Sequence, residues 1–195
     1  MKKIIRRMLV ALVILSIIWI VLTIWVELPG PARTWTFGEK ESDTHVVIIF
    51  DPDPLYDLDK QVCLSLGRAL AEKNIYVEIF TVVAAHGIST NIDGLVICAN
   101  TYNWQPDWAV AGFIKDTPSI KHKKIFAITL GSGSTETSKR KLESLIKRQQ
   151  GDLVESRSLW LMRPNDESNM AKSNVLVANE MAYHWGEELG QILTK

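Results

Sequence analysis

The chain has 195 residues, with 22 Lys and Arg balanced by 22 Asp and Glu. That length allows one domain plus an appendage. The balanced charge, with no basic patch interleaved with aromatics, carries no electrostatic footprint of nucleic-acid binding, and no nucleic-acid partner is expected. The two cysteines, Cys63 and Cys98, show no metal-ligand spacing and fall on predicted core faces, so they read as small buried hydrophobes. The four histidines are scattered, and no metal site is expected.

Residues 1–7 carry Lys2, Lys3, Arg6 and Arg7, and the 19 residues from Met8 to Val26 carry no charge. A bilayer-spanning helix needs roughly 20 apolar residues. Trp19 and Trp25 lie toward the far end of the run, where aromatic side chains anchor at the interface. The basic cluster predicts a cytoplasmic N-terminus, a transmembrane helix over 8–26, and everything beyond Glu27 on the outer side of a single-pass membrane protein. A cleaved signal peptide is the alternative, but Pro31 is poor at the Gly30-Pro31-Ala32 site and the apolar run is long for one. No lipobox cysteine is present. Residues 27–44, with Pro29-Gly30-Pro31, read as a linker in which Trp35 and Phe37 tuck against the domain or the membrane surface.

From His45 onward, segments alternate. The run Val46 to Phe50 is unbroken and apolar, as suits a strand covered on both faces. Leu58, Val62, Leu66 and Leu70 recur every four residues and predict a helix over about Leu58 to Lys73. Further strands are predicted at Tyr76 to Val82, Gly94 to Ala99, Lys124 to Thr129 and Leu153 to Met162. The segment Val83 to Ile92, with Gly87, has room for one or two helical turns. Helices are predicted over Pro106 to Lys115, from Ser134 or Thr135 to a stop at Gly151, and over Ala171 to Leu193. Glu136 in the first turn and Lys147 and Arg148 in the last turn complement the helix dipole. Five strands alternating with helices predict a doubly wound parallel sheet over residues 45–195.

In such a sheet the loops at the carboxyl ends of the strands converge on a ligand. Three are informative. Asp51 to Asp59 is acidic and proline-stiffened. Asn100-Thr101-Tyr102-Asn103-Trp104 brings two aromatics that can cover a flat ring. Gly131-Ser132-Gly133-Ser134 is rich in backbone N–H groups and leads into a helix N-terminus, which favours anions.

Asn100 to Trp104, followed by a helix ending Gly112-Phe113-Ile114-Lys115-Asp116, resembles the flavin-ring loop and following helix of flavodoxins and NAD(P)H-dependent FMN reductases. Lys123-Lys124-Ile125-Phe126-Ala127, leading into the Gly131 turn, resembles their fourth strand and loop. The resemblance covers residues 45–193 and implies a flavodoxin-like α/β fold with strand order 2-1-3-4-5, FMN as cofactor, and electron transfer or flavin-dependent reduction as function. The cofactor-binding residues it implies are Asn100, Thr101, Tyr102, Asn103, Trp104, Gly131, Ser132, Gly133 and Ser134. It leaves catalytic residues and the redox or protein partner unassigned.

The first loop departs from that pattern. Flavodoxins hold the phosphate with hydroxyls and glycines, whereas this chain offers Asp51, Asp53, Asp57 and Asp59 and two prolines without an N–H. A carboxylate about 6 Å from one phosphate charge costs roughly 3 kcal/mol at an effective dielectric of 20. Two further readings follow. One is a domain that keeps the fold, has lost the flavin, and acts as an interaction module. The other rests on Ile48-Ile49-Phe50-Asp51-Pro52-Asp53, which resembles the signature of haloacid dehalogenase-type phosphatases. That resemblance implies Asp51 as nucleophile, Asp53 as acid/base, Thr129 as the family threonine and Asp152 as the late acid, with Mg²⁺ screening the acids.

Overall fold

A computed structural model describes residues 2–85, 88, 91–117 and 120–194. Gly87, in the segment expected to hold one or two helical turns, lies outside them. The one turn described there is a 3₁₀ turn at Val82–Ala84.

The first helix, α1 (Lys2–Val26), is long and apolar enough to cross a membrane, and its apolar span is unburied. The segment read as a linker contains β1 (Thr34–Phe37). The domain continues as β2 (Thr44–Phe50), α2 (Leu58–Ala71), β3 (Ile75–Thr81), β4 (Gly94–Tyr102), β5 (Gln105–Pro106), α3 (Trp108–Asp116), β6 (Lys124–Gly131), α4 (Glu136–Arg148), β7 (Asp152–Trp160) and α5 (Asn174–Leu193).

Five strands are parallel, in the order β3-β2-β4-β6-β7. This is the predicted 2-1-3-4-5 order. The first of them, β2, lies between two neighbours and is apolar on both faces. Val46, Ile48 and Phe50 join the core beneath α2 and α5. Val47 and Ile49 join the core on the other face, which Val110, Ile114, Leu142 and Ile146 of α3 and α4 complete.

β1 corrects the linker reading. It pairs antiparallel with β3, from Thr34 opposite Phe80 to Phe37 opposite Val77. The Thr81 hydroxyl accepts a hydrogen bond from the Arg33 N–H at 2.9 Å and donates to the Pro31 carbonyl, also at 2.9 Å. Trp35 packs on Phe50 with ring centroids 5.9 Å apart, so it turns toward the domain core. The added strand covers an edge that would otherwise expose unpaired backbone groups.

Helices α2 and α5 approach closely because position 186 is glycine. A Cβ there would lie 2.7 Å from the Leu66 carbonyl oxygen and 2.8 Å from the Ala69 methyl. Nearby, buried Trp185 donates its indole N–H to Glu155 at 2.7 Å. Overpacking a fitted contact of this kind costs about 1–3 kcal/mol. Gly186→Val is therefore expected to lower the unfolding free energy by about that amount, read as a reduced denaturation midpoint. An unchanged midpoint would show that the two helices separate freely.

Candidate functional site

The site is built on the carboxyl edge of the sheet, where the chain leaves β2, β4, β6 and β7. β4 runs on through Asn100 and Thr101 to Tyr102, so these residues belong to a strand. Asn103 and Trp104 form a two-residue turn into β5, pairing Tyr102 with Gln105. Both turn residues have positive φ, 48° and 58°, the pattern of a type I′ hairpin turn. The stretch expected to be a loop over a flat ring is thus a β-hairpin.

A slot of about 220 Å³ opens beside the hairpin, lined among others by Asn100, Thr101, Tyr102, Gly131, Ser132 and Leu161. Val26, the last residue of α1, also lines it. Five of the nine residues expected to bind cofactor therefore share one cavity. The other four do not line it. Asn103 donates its side-chain amide to the Thr23 hydroxyl of α1 at 3.1 Å. Trp104 is 60% exposed. Gly133 faces Arg163, and Ser134 is exposed. The Gly131 and Ser132 carbonyls accept hydrogen bonds from Leu161, Met162 and Arg163. The Thr101 hydroxyl is buried without a hydrogen-bond partner.

The acidic loop after β2 folds around its own carboxylates. Asp53 Oδ1 accepts from the backbone N–H groups of Leu55 at 2.6 Å and Tyr56 at 2.8 Å. Its Oδ2 accepts from the Tyr102 hydroxyl at 2.7 Å. The Asp53 N–H donates in turn to Asp59 Oδ2 at 2.6 Å, which also accepts from the Asn100 side-chain amide at 3.0 Å. Asp57 flanks the N-terminus of α2, exposed, without a side-chain capping bond. The Leu55 and Tyr56 N–H groups, two donors that the loop could offer an anion, are thus already held by a carboxylate of the chain.

Two buried acids beside the site escaped the sequence reading. Asp107 is buried, caps α3 by accepting from the Val110 N–H at 2.8 Å, and accepts from the Asn100 N–H at 2.8 Å. Its place just before a helical run was the available signal. Glu27, in the supposed linker, is buried and accepts from the Trp108 N–H at 2.7 Å. Nothing in its sequence neighbourhood marks it. Asp51 completes this group by accepting from the Gly30 N–H at 2.9 Å.

Burial pushes the carboxyls of Asp51 and Asp59 up to about 6, against hydrogen bonds from the Gly30 N–H and the Asn100 amide that favour the charged forms. Burial also holds Asp107 well above the usual carboxylate range and raises Glu27. The Tyr102 phenol is raised by burial and by the Asp53 carboxylate that it faces. Among the described residues, no group of three or more His, Cys, Asp or Glu side chains is placed to hold a metal ion.

The residues present do not fit FMN bound through its phosphate. The Asp53 carboxylate already occupies the Leu55 and Tyr56 N–H groups, Asp57 and Asp59 add negative charge to the same loop, and the slot is smaller than the ~300–1,000 Å³ of most small-molecule sites. The phosphatase arrangement is also not assembled. Asp51 and Asp53 are held by backbone donors, Thr129 is fully buried in β6, and Asp152 starts β7 at the opposite edge of the sheet.

No protein-family model matches the chain, and no curated protein matches it in sequence. Solved structures do match in fold. An archaeal flavodoxin superposes with a TM-score of 0.58 at 9% identity, covering 78% of this chain and 100% of the flavodoxin. A WrbA-like flavodoxin from Agrobacterium tumefaciens gives 0.55 at 14% identity, covering 79% and 98%. The chain has a flavodoxin-like fold. An azoreductase from Bacillus anthracis gives 0.55 at 12% identity, covering 74% and 99%. Identities this low speak to the fold alone.

The raised acids fix the sign of a pH dependence. For Asp51 and Asp59 the folded-state values near 6 lie above the ordinary 3.8. Between those values the folded state binds more protons than the unfolded one. Their contribution to stability is complete below the unfolded value and is lost as pH rises through the folded value. The thermal midpoint of the detergent-solubilised chain is therefore expected to rise as pH falls from about 8 to about 5. Asp51→Asn keeps an acceptor for the Gly30 N–H and should flatten that rise. A midpoint that falls over this range in both proteins would count against buried, uncompensated acids.

Proposed function

We propose that the chain is a single-pass membrane protein whose flavodoxin-like domain works as a binding module without FMN. The observation that carries this reading is the Asp53 carboxylate, seated on the Leu55 and Tyr56 N–H groups and closed over by the Tyr102 hydroxyl. An incoming phosphate would have to displace that carboxylate and then remain beside it. The unburied apolar helix α1 supports membrane anchoring, and Lys2, Lys3, Arg6 and Arg7 support a cytoplasmic N-terminus with the domain on the outer side. The partner in this reading is another protein.

The test is a flavin titration of the purified full-length chain followed by fluorescence. The wild type is expected to leave FMN unbound and to be colourless as isolated. Replacing Asp53 by Ser and Asp57 by Thr removes two negative charges and adds hydroxyl donors, and should raise FMN affinity by roughly 10- to 100-fold. Tight FMN binding by the wild type would overturn the reading.

A second reading, flavin-dependent electron transfer by an oxidoreductase, is favoured by the unpartnered Thr101 hydroxyl beside a slot bounded by Tyr102 and by Gly131 and Ser132. It requires a flavin held without phosphate contacts. Riboflavin binding tighter than FMN binding, with a yellow protein that bleaches on reduction, would select it. For topology, protease added outside intact spheroplasts should remove the domain. Resistance until the membrane is broken would reverse the orientation.

A further inference from the structure

The exposed apolar side chains of the domain are not scattered. Leu55, Tyr56, Trp104, Trp108 and Met162 are between 48% and 67% exposed, and so is Leu28 just beyond α1. They come from separate connections, after β2, within the β4–β5 hairpin, at the start of α3 and after β7, yet all lie at the carboxyl edge of the sheet. Of the large exposed apolar residues described in the domain, only Val154 and Ile192 sit toward the opposite edge. That edge carries Glu39, Lys40, Glu41 and Asp43 instead.

The same edge is fastened to the end of α1. Asn103 bonds to Thr23, the Trp108 N–H to Glu27, and the Gly30 N–H to Asp51. Thr23 precedes the end of α1 by three residues. The hairpin tip therefore reaches back along the helix by about one turn, or about 5.4 Å. If α1 crosses a bilayer, that depth is the interfacial layer, where Trp and Tyr side chains are favoured. Lys141, whose ammonium lies 3.3 Å from the Trp104 carbonyl oxygen, and Arg163, stacked on Trp160, place cations at the rim. Long basic side chains there reach headgroup phosphates.

We propose that the carboxyl edge of the sheet is a bilayer-contacting face: the domain sits with Leu55, Tyr56, Trp104, Trp108 and Met162 in the interfacial layer of the membrane that its own anchor crosses. The slot lined by Val26 and Leu55 then opens at the lipid surface and not to bulk water. This inference rests on the membrane-anchor reading and is independent of whether flavin binds.

Site-directed fluorescence on the full-length chain in phosphatidylcholine–phosphatidylglycerol vesicles tests it. Cys63 and Cys98 are free and buried, so a nitrobenzoxadiazole thiol reagent should label only an introduced cysteine. Labels at Leu55→Cys and Trp104→Cys are expected to be quenched several-fold more by spin-labelled acyl chains than a label at Glu41→Cys, with the reverse order for aqueous iodide. More than one label per chain marks an unfolded preparation, for which Met162→Cys supplies the same comparison. Failure of the wild-type chain to float with the vesicles would overturn both the anchor reading and this inference. Flotation with all labels equally open to iodide and untouched by the lipid quencher would overturn the bilayer contact alone.

Discussion

The carboxyl edge of this domain depends on one hydrogen-bonded relay, from the Tyr102 hydroxyl to the Asp53 carboxylate, and from the Asp53 N–H to Asp59 and its Asn100 partner. Each bond to an ionised carboxylate is worth about 1.5–3 kcal/mol net. Together they tie the loop after β2 to the first turn of α2 and to the end of β4. The same Asp53 carboxylate accepts from the Leu55 and Tyr56 N–H groups, so the loop is folded around a carboxylate of its own.

That solution places several acids close together. Asp51, Asp59, Asp107 and Glu27 are all buried, and mutual repulsion adds to desolvation at Asp107 and Glu27. The N–H groups of Gly30, Val110 and Trp108 partly offset this. Backbone donors stabilise a carboxylate without contributing a full positive charge, so these acids stay easier to protonate than exposed ones. The edge is therefore held by directional hydrogen bonds, and its charge state follows pH.

The parallel sheet was legible because burial writes itself into composition. Val46 to Phe50 has no polar residue, and a strand covered on both faces needs none. The four-residue recurrence from Leu58 to Leu70 marked α2 for the same reason. β1 was not legible, since Thr34 to Phe37 is short, alternates between exposed and half-buried residues, and follows Pro31. Its pairing is decided by the free edge of β3, a tertiary fact. The hairpin was missed because Asn103-Trp104 lacks the glycine that usually marks such a turn. The acids of the loop after β2 were legible as an obstacle to phosphate, but the hydrogen bonds they accept were not. Their bonds depend on where Tyr102 and Asn100 arrive from a strand more than 40 residues later.

The joint between helix and domain follows from the same acids. Glu27 and Asp51 accept from Trp108 and Gly30, so the segment leaving α1 is held on both sides before β1 begins. β1 then adds backbone pairing along β3. A tether of ordinary linker composition would let a domain rotate relative to the helix before it, because few contacts would cross it. Here the connection is a strand bounded by buried hydrogen bonds, and α1 contributes Val26 to the wall of the slot. Movement of α1 relative to the domain must break these bonds and reshape the slot. The helix and the candidate site are therefore parts of one mechanical unit, and the orientation of the domain relative to α1 is set by side chains that line or adjoin the site.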